Sequence, residues 1–151
     1  MSSEAIRKIT VTFSFAVSPT GSNPKGFLRL GMAGREFTLR NTATTEQQEF
    51  EKTGGTYTFV LGEDHGIQDP VLNDPRSPQT YVRSLDLFPN YIRFEPASGD
   101  PLVVESVRAV VSGTSYDYSF SALASTSPIG SQIRMGRGQV GVLHLSQQQV
   151  P

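Results

Sequence analysis

A chain of 151 residues, 36% apolar and 18% charged, is long enough to enclose one hydrophobic core and too short to divide comfortably into two domains. Its 13 basic and 14 acidic side chains leave a formal net charge of −1, so no overall field gathers nucleic acid or anionic lipid, and no nucleic-acid partner is expected. The absence of cysteine excludes disulfides, thiolate metal sites and cysteine nucleophiles, and two histidines are too few for an ordinary zinc site.

Fourteen glycines and ten prolines, clustered and not periodic, suit many short strands joined by tight turns. The polar N-terminus lacks the apolar core of a secretory signal, and no apolar run of about 18 residues occurs. The location expected by default is cytoplasmic, with secretion left open.

In chain order, Ile9 to Val17 places apolar residues at the odd positions and Thr, Ser or Ala at the even ones. That period of two predicts a strand with one face on the core. Ser18 to Gly26 holds Pro19, Gly21 and Pro24 and reads as a loop. Phe27 to Leu30 and Arg35 to Arg40 follow as short strands of a hairpin that turns through Gly31-Met32-Ala33-Gly34. Asn41 to Lys52 has a capping-like Thr44 before helix formers, yet its lack of apolar periodicity favours a solvated loop. Thr56 to Leu61 alternates Tyr57, Phe59 and Leu61 on one face, as a strand does.

Residues 62–79 are rich in Asp, Asn and Pro and predict a long loop, a type that is more often functional than incidental. Tyr81 to Leu87 resumes strand character. Tyr91 to Pro96 and the Val-rich Leu102 to Val111 flank a short turn and predict a central hairpin. Tyr116 to Ala122 alternates aromatic and polar residues, the pattern of a strand with one wet face. A Ser, Thr, Gly and Pro-rich stretch runs to Gly138, Val140 to Leu145 is a final strand, and residues 146–151 are a flexible tail. The fold expected is an all-β antiparallel β-sandwich of about eight or nine strands, one domain over residues 1–151.

Chemistry is sparse. Asp64, Asp69, Asn73 and Asp74 are hard oxygen donors within one loop, which makes calcium the candidate cation, and Gly66 permits a sharp turn there. Their spacing departs from the calcium-loop pattern, and Asp and Asn beside Pro are ordinary turn formers, so a solvated loop is the plainer account. Glu95 and Glu105 fall on the two strands of the expected hairpin, where Arg93 and Arg108 make a wet-face ion pair a better account than a catalytic dyad. No Gly-x-Ser-x-Gly elbow occurs, Gly21 to Gly26 lacks phosphate-loop spacing, and Arg134 with Arg137 is too small a basic patch for nucleic acid. No catalytic residue and no obligatory cofactor are expected. Tyr81, Tyr91, Tyr116 and Tyr118 are the candidate contacts for a sugar or a protein partner.

Taken together, Ile9 to Phe13, the Thr20-Gly21 turn, Gly26-Phe27-Leu28-Arg29-Leu30 with Gly31 to Gly34, Tyr57 to Leu61, Tyr91 to Glu95 and Val103 to Val107 resemble a PLAT domain, the lipoxygenase-homology β-sandwich, over residues 9–111. The chain departs from that pattern in having no tryptophan, in the long 62–79 segment, and in residues 112–151, which pass the usual domain end. The resemblance implies a non-catalytic binding module that docks on a membrane surface or a protein partner, in some members with calcium. The alternatives are a small carbohydrate-binding lectin and a structural subunit of a larger self-associating assembly. Exposed apolar loop tips would mark the first, a tyrosine-lined groove the second, and an uncovered edge strand the third.

Overall fold

The alternation at the start of the chain builds the strand it predicts. β1 (Lys8–Phe15) buries Ile9, Val11, Phe13 and Phe15 and turns Thr10, Thr12 and Ser14 the other way. The structure, a computed structural model, describes residues 4–39, 48–63, 73–122 and 132–147. The remaining strands are β2 (Lys25–Met32), β3 (Arg35–Leu39), β4 (Gln48–Glu49), β5 (Gly55–Gly62), β6 (Tyr91–Pro96), β7 (Leu102–Ser112), β8 (Asp117–Ala122), β9 (Ile133–Met135), β10 (Val142–His144) and β11 (Ser146–Gln147). Eleven strands among the described residues exceed the expected eight or nine, because β4, β9 and β11 are too short to carry an alternation. No helix of the described residues is long and apolar enough to cross a membrane.

Two antiparallel sheets pack face to face, as the sandwich reading requires. The first runs β11-β8-β7-β1-β5 with β9 also on β7, and the second runs β10-β6-β2-β3 with β4 also on β2. β2 and β3 form the expected hairpin, closed by Ala33 and Gly34 at φ 52° and 81°. Two left-handed residues in a two-residue turn match the twist of the strands they join.

The eleven residues of β7 face the core in two phases. Leu102 and Val104 point inward, then Val107, Ala109 and Val111 do. A strict period of two would put one set outside. The register against β1 passes from Ser14↔Ser106 to Phe15↔Val104, so Glu105 is the extra residue of a β-bulge and takes the exposed position.

Three expectations are corrected. β6 and β7 are not a hairpin: β6 pairs with β2 and β10 in the second sheet, β7 with β1, β8 and β9 in the first, and residues 97–101 cross between the sheets. Tyr81 to Leu87 is not a strand but holds a 3-10 turn, Val82–Leu85, because Val82 and Leu85 lie three residues apart and bury on the same side of a three-residue turn. Ser146 and Gln147, expected in a flexible tail, form strand β11. Ser146 and Gln147 pair with Ser121 and Phe120, while residues 148–151 lie outside the described residues.

That last segment changes sheets. β10 pairs with β6 and β11 with β8, and between them Leu145 is buried, with its N–H donating to the Asn90 carbonyl at 2.8 Å. The same few residues thus lace both sheets along one side. Phe50 joins them at one end of the core. It follows β4, in a stretch expected to be loop, and its ring lies 5.9 Å from Phe13, 5.3 Å from Phe15 and 5.7 Å from Tyr57 in the first sheet, and 6.0 Å from Phe94 in the second. Of the Asn41 to Lys52 stretch, residues 41–47 with the capping-like Thr44 lie outside the described residues.

Val104 and Val107, on either side of the bulge, are both buried. Replacing either with Ala leaves a cavity and is expected to cost about 1 to 3 kcal/mol. Urea unfolding with an unchanged m-value checks this, and equal midpoints for both variants and the parent would remove β7 from the centre of the core.

Candidate docking surface

One end of the sandwich is built over, and the segment Asn73 to Asn90 does the building. Its first residues run beside β3. The buried Asn73 accepts the Thr38 N–H through Oδ1 at 2.8 Å, and Arg35 Nη1 donates to the carbonyls of Asp74 and Pro78 at 2.7 and 2.9 Å. Burial lowers the Arg35 pKa, and the nearby Asp74 charge partly restores it. The Asp74 carboxylate takes Arg76 Nη2 at 2.9 Å and the Arg76 N–H at 2.9 Å, the self-contained turn that Asp commonly makes. Two of the four proposed calcium donors therefore already accept hydrogen bonds that hold this segment, and Asp64 and Asp69 lie outside the described residues.

The segment next crosses the N-terminus. The Ile6 N–H donates to the Thr80 carbonyl at 3.0 Å, Gln79 Nε2 to the Ile6 carbonyl at 2.9 Å, and the Val82 N–H to the Glu4 carbonyl at 2.9 Å. Glu4 is itself held from the other side by the turn that precedes β8. Its carboxylate accepts the backbone N–H groups of Ser115 and Tyr116, the Thr114 hydroxyl at 3.2 Å and the Tyr118 hydroxyl at 3.2 Å. The Ser115 bond does most to hold the Glu4 pKa below the usual carboxylate range, with Tyr116, Tyr118 and Thr114 adding to it against some loss of solvation. Burial and the neighbouring Glu4 raise the Tyr118 phenol. Arg7 completes the clasp, donating Nε to the Gly113 carbonyl at 2.7 Å and Nη1 to Glu63 at 2.8 Å.

Three of the four tyrosines chosen from the sequence meet on this clasp. Tyr81 bridges to Ala5, the Tyr116 N–H and the Tyr118 hydroxyl both donate to Glu4, and Arg83 lies 5.6 Å from the Tyr81 ring centroid. Tyr91 belongs elsewhere. It covers Gly31 on the outer face of the second sheet, where an added Cβ would collide with its ring. There its hydroxyl donates to Glu36 at 2.7 Å beside the paired Arg93, at 2.7 and 3.1 Å. The Arg93 bond is the chief reason the Glu36 pKa is lowered and the Arg93 pKa raised. Glu95 pairs with Arg29 and Arg93 in the same group, and Glu105 sits on the bulge of the other sheet, so the two glutamates are not a dyad. Partly exposed pairs of this kind contribute only about 0 to 1 kcal/mol each, so the cluster orders a surface more than it stabilises a fold.

Beyond the 3-10 turn the chain presents Leu87 and Phe88, 71% and 48% exposed. Phe88 stands beside Gly34 of the β2–β3 turn. With Tyr81 at 37% and Tyr116 at 69%, four of the seven exposed large apolar side chains among the described residues fall on this end. Leu87 closes the strand expected over Tyr81 to Leu87 and Phe88 follows it, a placement that gives no sign of their exposure. The available signal was an apolar pair directly before Pro89 and flanked by Asp86 and Asn90. The opposite end is different: a polar cleft of about 490 Å³ is lined by Asn23, Lys25, Glu49, Glu51, Lys52 and Asp100 among others. Among the described residues no aromatic ring lines it.

No family model, curated protein or solved structure matches this chain.

The Glu4 clasp makes a pH prediction. A carboxylate whose pKa is lower in the folded state stabilises the fold above its unfolded pKa, and the contribution is lost as pH falls through the folded value. The melting temperature of the parent is expected to fall more steeply than that of Glu4→Gln between about pH 5 and pH 3. Thermal melts followed by circular dichroism across that range test it, and parallel curves would show that Glu4 gains nothing from Ser115 and Tyr116.

Proposed function

We propose that this chain is a non-catalytic docking module that binds a protein partner through the end formed by residues 4–7, 80–90 and 113–118. One observation carries the reading: Tyr81, Leu87, Phe88 and Tyr116 are exposed together on an end whose backbone is fixed by hydrogen bonds. Exposed apolar side chains scattered over a surface need no explanation, but their concentration on a braced end is what an interface core requires. Aromatic anchors with arginine nearby are the side-chain types that dominate binding energy at protein interfaces, and Arg83 against Tyr81 supplies that pairing here.

Charge favours a protein over a lipid surface. Attraction to an anionic bilayer takes a cluster of unopposed basic residues. On this end Arg7 faces Glu63 and Arg76 faces Asp74, and Arg35 and Arg83 are interspersed with Glu4, Asp86 and Asp117. Charges of both signs beside exposed apolar side chains suit a protein partner of complementary pattern. The PLAT resemblance points to the same class of function, and calcium has no assigned part in it.

The double variant Leu87→Asp with Phe88→Asp removes the apolar centre while leaving the hydrogen-bonded clasp intact. Proximity cross-linking in the native extract is expected to join the parent to a discrete partner and to fail with the variant, whose melting curve stays close to the parent's. Vesicles of zwitterionic or anionic lipid are expected to leave both proteins in the supernatant. Co-sedimentation of the parent with vesicles, lost in the variant, would assign this end to a lipid surface instead.

A further inference from the structure

Sheet edges expose main-chain donors and acceptors to any passing strand, and most edges of this sandwich are defended. Along β3, the Thr38 N–H is taken by Asn73 and the Arg35 side chain reaches over to Asp74 and Pro78. β9, β10 and β11 are two or three residues long, too short to template a partner. Among the described residues β5 has none of these devices. It is eight residues, Gly55–Gly62, with no proline and no charged side chain, and it pairs with β1 over eight successive positions without a bulge. Nothing among the described residues pairs with its other side.

The ladder's phase says which groups face outward. The Glu63 N–H donates to the Arg7 carbonyl at 3.0 Å, continuing the register of the β1–β5 pair, and the Ala16 N–H turns to the Val103 carbonyl on the β7 side at 2.8 Å. Odd residues of β5 therefore spend their main-chain groups on β1, and the N–H and C=O groups of Thr56, Thr58 and Val60 point away from the sheet.

We propose that β5 is a self-pairing edge, and that two copies of this chain join β5 to β5 antiparallel about a two-fold axis at Thr58. In that register Thr58 meets its own counterpart and Thr56 meets Val60, with about six main-chain hydrogen bonds exchanged. The even side chains stay on the outer face and the odd ones stay on the core side, so neither sheet is turned inside out. The half-buried Tyr57 then lies opposite the second copy's Phe59, whose ring stays in its own core. A second copy is the occupant this edge selects. A strand that is uncharged throughout meets no like charge when it pairs with itself, and an isologous contact closes at two subunits and leaves no further edge of this type. This pairing uses no residue of the docking end and stands independently of it.

Two strands and their borders make a small interface, so a monomer–dimer equilibrium with a constant of about 10 to 100 µM is expected. Sedimentation equilibrium on the whole chain is expected to rise from 16.5 kDa toward twice that mass as concentration rises. Thr58→Lys sets two ammonium groups face to face on the axis, from a side chain that is already exposed, and should keep the parent's melting temperature while weakening self-association at least tenfold. Amide exchange gives a second reading that needs no variant. Thr56, Thr58 and Val60 should exchange more slowly as concentration increases, while Gly113 and Gln139 should not change. A parent that stays monomeric up to about 500 µM, a Thr58→Lys chain that dimerises with the parent's constant, or concentration-independent exchange at those three amides would each overturn the proposal.

Discussion

The constraint on which the rest of this molecule depends is that β7 must keep an apolar face on the core for eleven residues while serving three neighbours. β1 lies along one side, and β8 and β9 share the other, β8 on residues 107–112 and β9 on residues 102–104. A strand of that length twists, and a strict alternation would carry either Leu102 and Val104 or Val107, Ala109 and Val111 into water. At about 1.5 to 3 kcal/mol for each large apolar side chain turned out, that loss would rival the net stability of a domain this size. The bulge at Glu105 resets the phase. It costs one ladder position and puts the charged Glu105 where solvent can reach it.

How the two ends differ follows from where the chain has spare length. At the end holding the cleft, the connections are polar and carry Lys25, Lys52, Glu49 and Asp100, and Phe50 plugs the core beneath them. At the other end residues 80–82 are held by backbone bonds to residues 4–6, and the buried anchors Val82 and Leu85 leave Leu87 and Phe88 standing out. A docking surface made of loops normally trades rigidity for reach. Here the Glu4 clasp and the Asn90 side chain, which donates to the Leu85 carbonyl at 3.1 Å, hold both flanks of the exposed pair.

What could be read from the residues divides along physical lines. β1, β2, β3 and β5 were legible because each buries one face, and a half-buried strand writes its period into the sequence. The sandwich was legible as a class for the same reason. The partnership of β6 and β7 was not, since a five-residue turn joins hairpin strands and opposed sheets equally well and the apolar pattern is identical in both. β9 and β11 were invisible because a strand of two or three residues has no period. Of the proposed site, Tyr81, Tyr116 and Tyr118 were found for their chemistry, but the residue that gathers them is Glu4, whose role depends on contacts more than a hundred positions away. Local pattern holds no record of such a contact.

The geometry of the two proposed surfaces bears on what kind of partner each end meets. The docking end lies at the Gly62 end of β5, next to Pro75 and the Arg7 carbonyl. Antiparallel pairing about Thr58 sets the Gly62 end of one copy beside the Gly55 end of the other, because the axis that relates them stands perpendicular to the sheet. The two docking ends of such a pair point in opposite directions. A flat bilayer can touch only one of them, and pairing would then add no avidity for a membrane, since the second end cannot reach the same surface. Two protein partners, or two sites separated by the length of the paired sandwiches, can be held at once. A module of the proposed kind, with an apolar end and a self-pairing edge, is arranged to bridge two partners.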